Sequence, residues 1–272
     1  MKNYFPNKST PILQKKMLIQ PFFVDQRLKS KKIIKGMGNN YSWSQSTIIK
    51  EIESDLKKGI KNFLLFIVPK EKQKPPDGHC GISHKRKIDL NQTHYALGLA
   101  ANTYLEAGAD IIAPSDMMKN TTRYLRKIFQ DNNFSNAQIM SYSTKFKSSF
   151  YGPFRNAANS SPKGFDRSSY QLPVNHRKKA VESSIVNAAQ GANYLMVKPG
   201  MTSIDLITDI KKETLLPTGA YQVSGEFASL QLLHKNKLGN YQDLLFESLQ
   251  VFARAKADFI ITYGARDIAK YL

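Results

Sequence analysis

Seven short apolar runs recur along the chain, and their spacing constrains the fold more than any other feature. They are "LIQPFFV" (18–24), "FLLFIV" (63–68), "DIIAPS" (110–115), "AQIMSYS" (137–143), "YLMVKP" (194–199), "AYQVS" (220–224) and "DFIITYG" (258–264). Continuous apolar runs of this length suit strands covered on both faces, as in a parallel sheet. Helix-like stretches lie between them: "SQSTIIKEIESDLKKGI" (44–60), "LNQTHYALGLAANTYLEAGA" (90–109), "HRKKAVESSIVNAAQGA" (176–192), "SIDLITDIKKET" (203–214) and "YQDLLFESLQVFARAKA" (241–257). Helix followed by strand, repeated, is the β/α pattern.

Several of these strands share a second property. Each finishes on a polar or ionisable residue: Ser115 with Asp116, Ser143 with Lys145, Lys198, Ser224 with Glu226, and Tyr263. In a TIM (β/α)8 barrel the C-terminal ends of the strands converge on one mouth, where the active site lies. The expected fold is therefore an α/β, TIM-type barrel. Only seven candidate strands are visible, and a closed barrel needs eight.

Two of the strand ends carry a lysine. Lys198 closes the apolar run "YLMV" and is followed by Pro-Gly, while Lys145 follows "IMSYST". A lone strand-end lysine is more often a side chain snorkelling to solvent, and Pro-Gly a plain turn. Two lysines pointing into one mouth are different. At about 5 Å and an effective dielectric near 20 their charges repel by roughly 3 kcal/mol, and burial adds to the pressure toward a neutral amine. A neutral amine attacks carbonyls, so the pair suggests Schiff-base chemistry, with room for two carbonyl substrates.

At 272 residues the chain can form one large domain, and no Gly/Ser linker divides it. We expect residues 1–17 to form a short N-terminal arm and 18–272 a single catalytic domain. The net charge of +19 comes from 31 lysines and 9 arginines spread along the chain. Nucleic-acid binders usually gather such charge on one face, so neither nucleic acid nor membrane is the expected partner. A positive field would instead speed the arrival of small anions. The single cysteine, Cys80, excludes an internal disulfide and suits a reducing compartment. With no signal-like or membrane-spanning run, a cytoplasmic protein is expected.

Six longer segments carry a family resemblance: "AGADIIAPSDMM" (107–118), "IMSYSTKFKSSFYGPFR" (139–155), "DRSSYQ" (166–171), "LMVKPG" (195–200), "YQVSGEF" (221–227) and "FIITYGA" (259–265), with weaker echoes in "LIQPFFV" and "GHCGI" (78–82). The chain resembles the porphobilinogen synthase (δ-aminolevulinic acid dehydratase) family. The resemblance implies a TIM barrel, homo-oligomeric and usually octameric, that condenses two 5-aminolevulinate molecules into porphobilinogen for haem and other tetrapyrroles. It implies Lys145 and Lys198 as the Schiff-base lysines, with Lys198 the principal one. Arg155 and Arg167 match a pair that grips one substrate carboxylate, and Gln171 a nearby binding residue. Arginine fits that task because its planar fork pairs with a carboxylate through two hydrogen bonds. Ser224 and Tyr263 match the residues that bind the second carboxylate. Ser115 and Asp116 match mouth residues that position substrate or water. Without the motifs, these would read as surface ion pairs, packing and a helix N-cap.

The departures from the family concern metal and closure. Family members use zinc, held by three cysteines and preceded by an aspartate, or magnesium with acidic residues in their place. Here only Cys80 survives. From "FLLFIVPKEK" the chain passes to "PPDGHCGI" as though one β/α unit were missing near residues 69–78. One soft ligand does not make the tetrahedral site zinc prefers, so no catalytic zinc of the family type is expected. His79 and Asp77 lie beside Cys80, and Glu182 is the magnesium candidate, next to the position where the family has a helix glutamate. "SDMMDGR" of the family becomes "SDMMKN" here. Losing a strand exposes backbone groups on its two neighbours. Either those neighbours pair directly or the 69–89 segment fills the gap. Competing readings are a degenerate, non-catalytic homologue and an aldolase-like enzyme acting on another carbonyl; the second does not explain two lysines together with two carboxylate grips.

Overall fold

The computed structural model describes residues 12–70, 83–84, 87–157 and 170–272. Its framework is a row of seven parallel strands. β1 (Leu18–Asp25) is followed by a small antiparallel pair, β2 (Lys32–Ile33) and β3 (Tyr41–Trp43), then helix α1 (Gln45–Lys57) and β4 (Asn62–Val68). β5 (Ser83–His84) and β6 (Lys87–Ile88) form a separate two-stranded ladder ahead of α2 (Leu90–Glu106). Next come β7 (Ile111–Ile112), α3 (Thr121–Asp131), β8 (Gln138–Lys145), α4 (Gly152–Ala157), α5 (Arg177–Ala189) and β9 (Tyr194–Lys198). The chain ends with α6 (Ile207–Thr214), β10 (Thr218–Tyr221), α7 (Ser224–Lys235), α8 (Tyr241–Arg254), β11 (Ile260–Ile261) and α9 (Ala265–Ile268).

The parallel neighbours run β4–β1–β11–β10–β9–β8–β7. This is the strand order of a β/α barrel interrupted at one place. Among the described residues β4 and β7 do not pair, and the sheet is not closed. The two free edges flank in sequence the stretch where one β/α unit is missing, so the direct pairing of these neighbours, one of the two alternatives, is not what the chain adopts. β7 is only two residues long where the sequence suggests "DIIAPS". Leu65 on β4 and Leu99 on α2 are about half exposed.

The strands are apolar because they are covered twice. Leu195, Met196 and Val197 of β9 are all fully buried, which removes any alternation of polar and apolar residues. Helix starts follow from local chemistry: the Asp89 carboxylate accepts the Gln92 N–H at 3.0 Å, and Asn240 accepts from Gln242 and Asp243. Two helices differ from the sequence expectation. "AYQVS" is strand only as far as Tyr221, because the Glu226 carboxylate accepts the Val223 N–H at 2.8 Å and starts α7 at Ser224. α3 buries Thr121, Thr122, Leu125 and Phe129, a stripe at helical spacing hidden among charged residues. No helix among the described residues is long and apolar enough to cross a membrane.

Candidate active site

The two lysines meet through an irregularity in β8. Along the β8–β9 ladder, Met140 pairs with Tyr194 and Ser141 with Leu195, but Thr144 then pairs with Val197 and Lys145 with Lys198. β8 takes three steps where β9 takes two, so it carries one extra residue, a β-bulge at Tyr142–Ser143. In a regular ladder Thr144 would face Lys198, and Lys145 would point to the other side of the sheet. The bulge turns Lys145 onto the same face as Lys198. Both are buried, at 5% and 3% exposure.

The Lys198 nitrogen sits in a box of aromatic faces. It lies 4.2 Å from the Tyr221 ring centroid, 4.9 Å from Phe154, 5.1 Å from Tyr142 and 5.4 Å from Tyr151. The Lys145 nitrogen is 5.7 Å from the centroid of the same Tyr142 ring, so both amines contact one ring. Tyr151 closes the box by donating to the carbonyls of Phe146, at 2.8 Å, and Lys198, at 3.3 Å. After Lys198 the chain turns through Pro199 and Gly200. The Gly200 N–H donates to the Tyr221 carbonyl at 2.7 Å, and a Cβ at Gly200 would lie only 2.8 Å from that oxygen. Glycine is required by this close approach. Behind the turn the buried Glu226 accepts the Thr202 N–H at 3.1 Å, and burial pushes its carboxyl up to about 7.

Lys145 is anchored on the β7 side. Its ammonium donates to the Ser115 carbonyl at 2.6 Å, with the Ser115 hydroxyl at 3.4 Å. Asp116, next in the chain, is buried and accepts the Thr121 hydroxyl at 2.7 Å. Burial pushes the Asp116 carboxyl up to about 6, although the Thr121 hydroxyl and the Lys145 charge both pull it down.

Of the expected carboxylate-binding residues, Tyr263, Ser224 and Gln171 lie around this pair. The Tyr263 hydroxyl lies 2.8 Å from that of Tyr221, and burial raises both phenols above their ordinary range. Ser224 opens α7, and its hydroxyl accepts the Phe154 N–H at 2.9 Å, which ties α4 to the box. Gln171 is brought in by its neighbour Leu172, which bridges to Phe146 and donates its N–H to the Lys145 carbonyl. Both polar atoms of the Gln171 amide are buried without a hydrogen-bond partner, as is the Tyr142 hydroxyl. Arg155 lies on α4, with its side chain outside the described set, and Arg167 lies outside the described residues altogether. Sequence reasoning missed Tyr142, Tyr151, Phe154 and Tyr221. The signal was the aromatic density of "SYSTKFKSSFYGPF" around one lysine and a tyrosine ending the next strand.

The described residues do not fit a catalytic metal. They contain no group of three His, Cys, Asp or Glu side chains able to hold one. Asp77, His79 and Cys80 lie outside the described residues. Glu182, on α5, makes a 3.9 Å ion pair with Lys178.

Comparison with known proteins agrees with this geometry. The family model described as delta-aminolevulinic acid dehydratase matches residues 7–76 and 74–271, two pieces that meet at the expected gap. A delta-aminolevulinic acid dehydratase of Helicobacter pylori is 37% identical over 294 residues, covering 93% of this chain and 90% of that protein. The aligned length exceeds the 272 residues of the chain, so the alignment spans residues of that relative which this chain lacks. The Escherichia coli relative of the same name is 34% identical, with 93% and 89% covered. A crystal structure of the Toxoplasma gondii delta-aminolevulinic acid dehydratase (porphobilinogen synthase), in complex with the reaction product porphobilinogen, superposes with a TM-score of 0.91. It is 29% identical, over 97% of this chain and 87% of that one.

Proposed function

This chain belongs to the delta-aminolevulinic acid dehydratase family, and we propose that Lys145 and Lys198 are the amines through which it works. It condenses two molecules of 5-aminolevulinate into porphobilinogen plus water. The observation that carries the assignment of the lysines is their placement: cross-strand partners, both buried, each with its nitrogen within 6 Å of the Tyr142 ring centroid.

The chemistry follows from the surroundings. Two buried ammonium groups across one ladder repel each other, which favours the neutral amine that attacks a ketone. Dehydration of the adduct takes one proton. A neutral amine, a carbonyl and a carboxylic acid give an iminium, a water and a carboxylate. Asp116, beside Lys145 and with its carboxyl raised toward neutrality, is suited to supply that proton. At Lys198 the iminium would face four aromatic rings, whose negative faces stabilise a cation.

The substrate carboxylates are assigned to Arg155, Arg167 and Gln171 for one molecule and to Ser224 and Tyr263 for the other. Supporting this, the Gln171 amide is buried and unpaired, and an unpaired buried amide costs stability unless a ligand completes it. Ser115 positions Lys145 through its carbonyl. A homo-oligomer in the cytoplasm, without zinc of the family type, completes the reading.

The test is pyrrole formation from 5-aminolevulinate, with and without a zinc chelator, by the native protein and by Lys145→Met and Lys198→Met. Each substitution is expected to lower kcat by at least roughly a thousandfold, the scale of losing an attacking group. Native activity should withstand the chelator. Near-native rates in both variants would refute the assignment.

A further inference from the structure

Asp116 is held from behind by a short buried chain of polar groups that the reading above does not use. Thr121, the first residue of α3, gives its hydroxyl hydrogen bond to Asp116 at 2.7 Å, with the Met118 carbonyl a longer contact at 3.3 Å. On its far side the same hydroxyl lies 3.4 Å from the His94 Nε2 of α2. His94 is buried, stacked on Tyr124 with centroids 5.0 Å apart, and also hydrogen-bonded to the Lys119 backbone. Three elements thus converge on one carboxyl: α2 through His94, α3 through Thr121, and β8 through the charge of Lys145. The stretch that supplies Thr121 is the one in which "SDMMKN" departs from the family motif.

We propose that Thr121 and His94 are positioning residues that hold the Asp116 carboxyl beside Lys145 through a buried Asp–Thr–His chain. The proposal rests on the reading of Asp116 as the acid at the Lys145 end. A hydroxyl donating to a carboxylate favours its charged form. Thr121 therefore makes Asp116 a readier proton donor than burial alone allows. Burial lowers the His94 imidazole below its ordinary range, so it stays neutral at neutral pH, and its one N–H, given to the Lys119 backbone, fixes the ring against Thr121. The fixed ring holds the threonine hydroxyl in its place beside Asp116. The groups facing Asp116 are thus one hydroxyl and the Lys145 cation, with the neutral imidazole one step behind.

The experiment titrates Asp116 by carbon-13 carboxyl NMR in the native protein and in Thr121→Val, Thr121→Ser and His94→Leu, alongside kcat and KM against pH. Thr121→Val should move the Asp116 titration to higher pH. His94→Leu should move it less far in the same direction, and Thr121→Ser should restore the native position. In turnover the alkaline limb of kcat should move likewise, with KM unchanged. An Asp116 titration that stays in place in both Thr121→Val and His94→Leu overturns the proposal. If Thr121→Val does not fold, His94→Leu alone decides. A native protein that forms no pyrrole would refute the proposed function, whereas the carboxyl titration would still judge this chain of contacts.

Discussion

Lys145 stands directly across the ladder from Lys198 because β8 carries one residue more than β9 between Ser141 and Thr144. This register difference brings two amines to one face of the sheet. It also brings both nitrogens within 6 Å of the Tyr142 ring centroid. The site is therefore a property of strand pairing, and its consequences can be measured.

The Tyr142 hydroxyl is buried without a partner, whereas the Tyr151 hydroxyl bonds two carbonyls. Tyr142→Phe should leave the thermal midpoint unchanged or raise it, since an unpaired buried hydroxyl costs about 1–3 kcal/mol. Tyr151→Phe should cost about 1 kcal/mol. Thermal unfolding of the two variants checks the contrast, and equal destabilisation would contradict it.

Asp116 and Glu226 are both raised by burial, from 3.8 to about 6 and from 4.5 to about 7. Each carboxyl holds its proton more tightly in the folded chain than in the unfolded one. Between pH 4 and 7, roughly, the native state binds more protons, so stability falls as pH rises. Their contribution is complete below the unfolded values and is lost as pH passes the folded ones. It amounts to roughly 3 kcal/mol each. Urea midpoints measured from pH 5 to 8 should decline, and the decline should flatten in Asp116→Asn and Glu226→Gln.

Gly225 packs against the turn that leads into α4. A Cβ there would lie 2.5 Å from the Phe150 carbonyl oxygen and 2.7 Å from its Cα. Backbone cannot yield as a side-chain tip can, so Gly225→Ala should push α4, and Phe154 with it, away from Lys198. A stability loss of about 1–3 kcal/mol should come with a larger fall in kcat than that loss explains. Retention of native kcat would show that α4 does not set the Lys198 box.

Much of this was legible in the sequence, for identifiable reasons. The strands are doubly buried, so their apolar runs stand out, and Lys198 is conspicuous because it ends one of them. The bulge was not legible, because it is a mismatch between two strands and neither sequence shows it alone. α3 was missed because four buried residues are diluted by charged ones, and α7 because Val223 extends the appearance of the strand past its last ladder bond. A missing β/α unit was anticipated, but whether its neighbours pair directly or segment 69–89 fills the gap was left open. That choice depends on pairing across the gap, which no local pattern encodes, and most of segment 69–89 lies outside the described residues. His94 and Thr121 lie 27 positions apart, and only packing of α2 on α3 brings them together.

The central claim is that two buried amines capture two keto acids. The direct measurement is borohydride reduction of the folded protein in the presence of 5-aminolevulinate, followed by peptide mass mapping. The account predicts covalent substrate mass on Lys198 and, secondarily, on Lys145. A folded protein that carries no adduct at either lysine would contradict it.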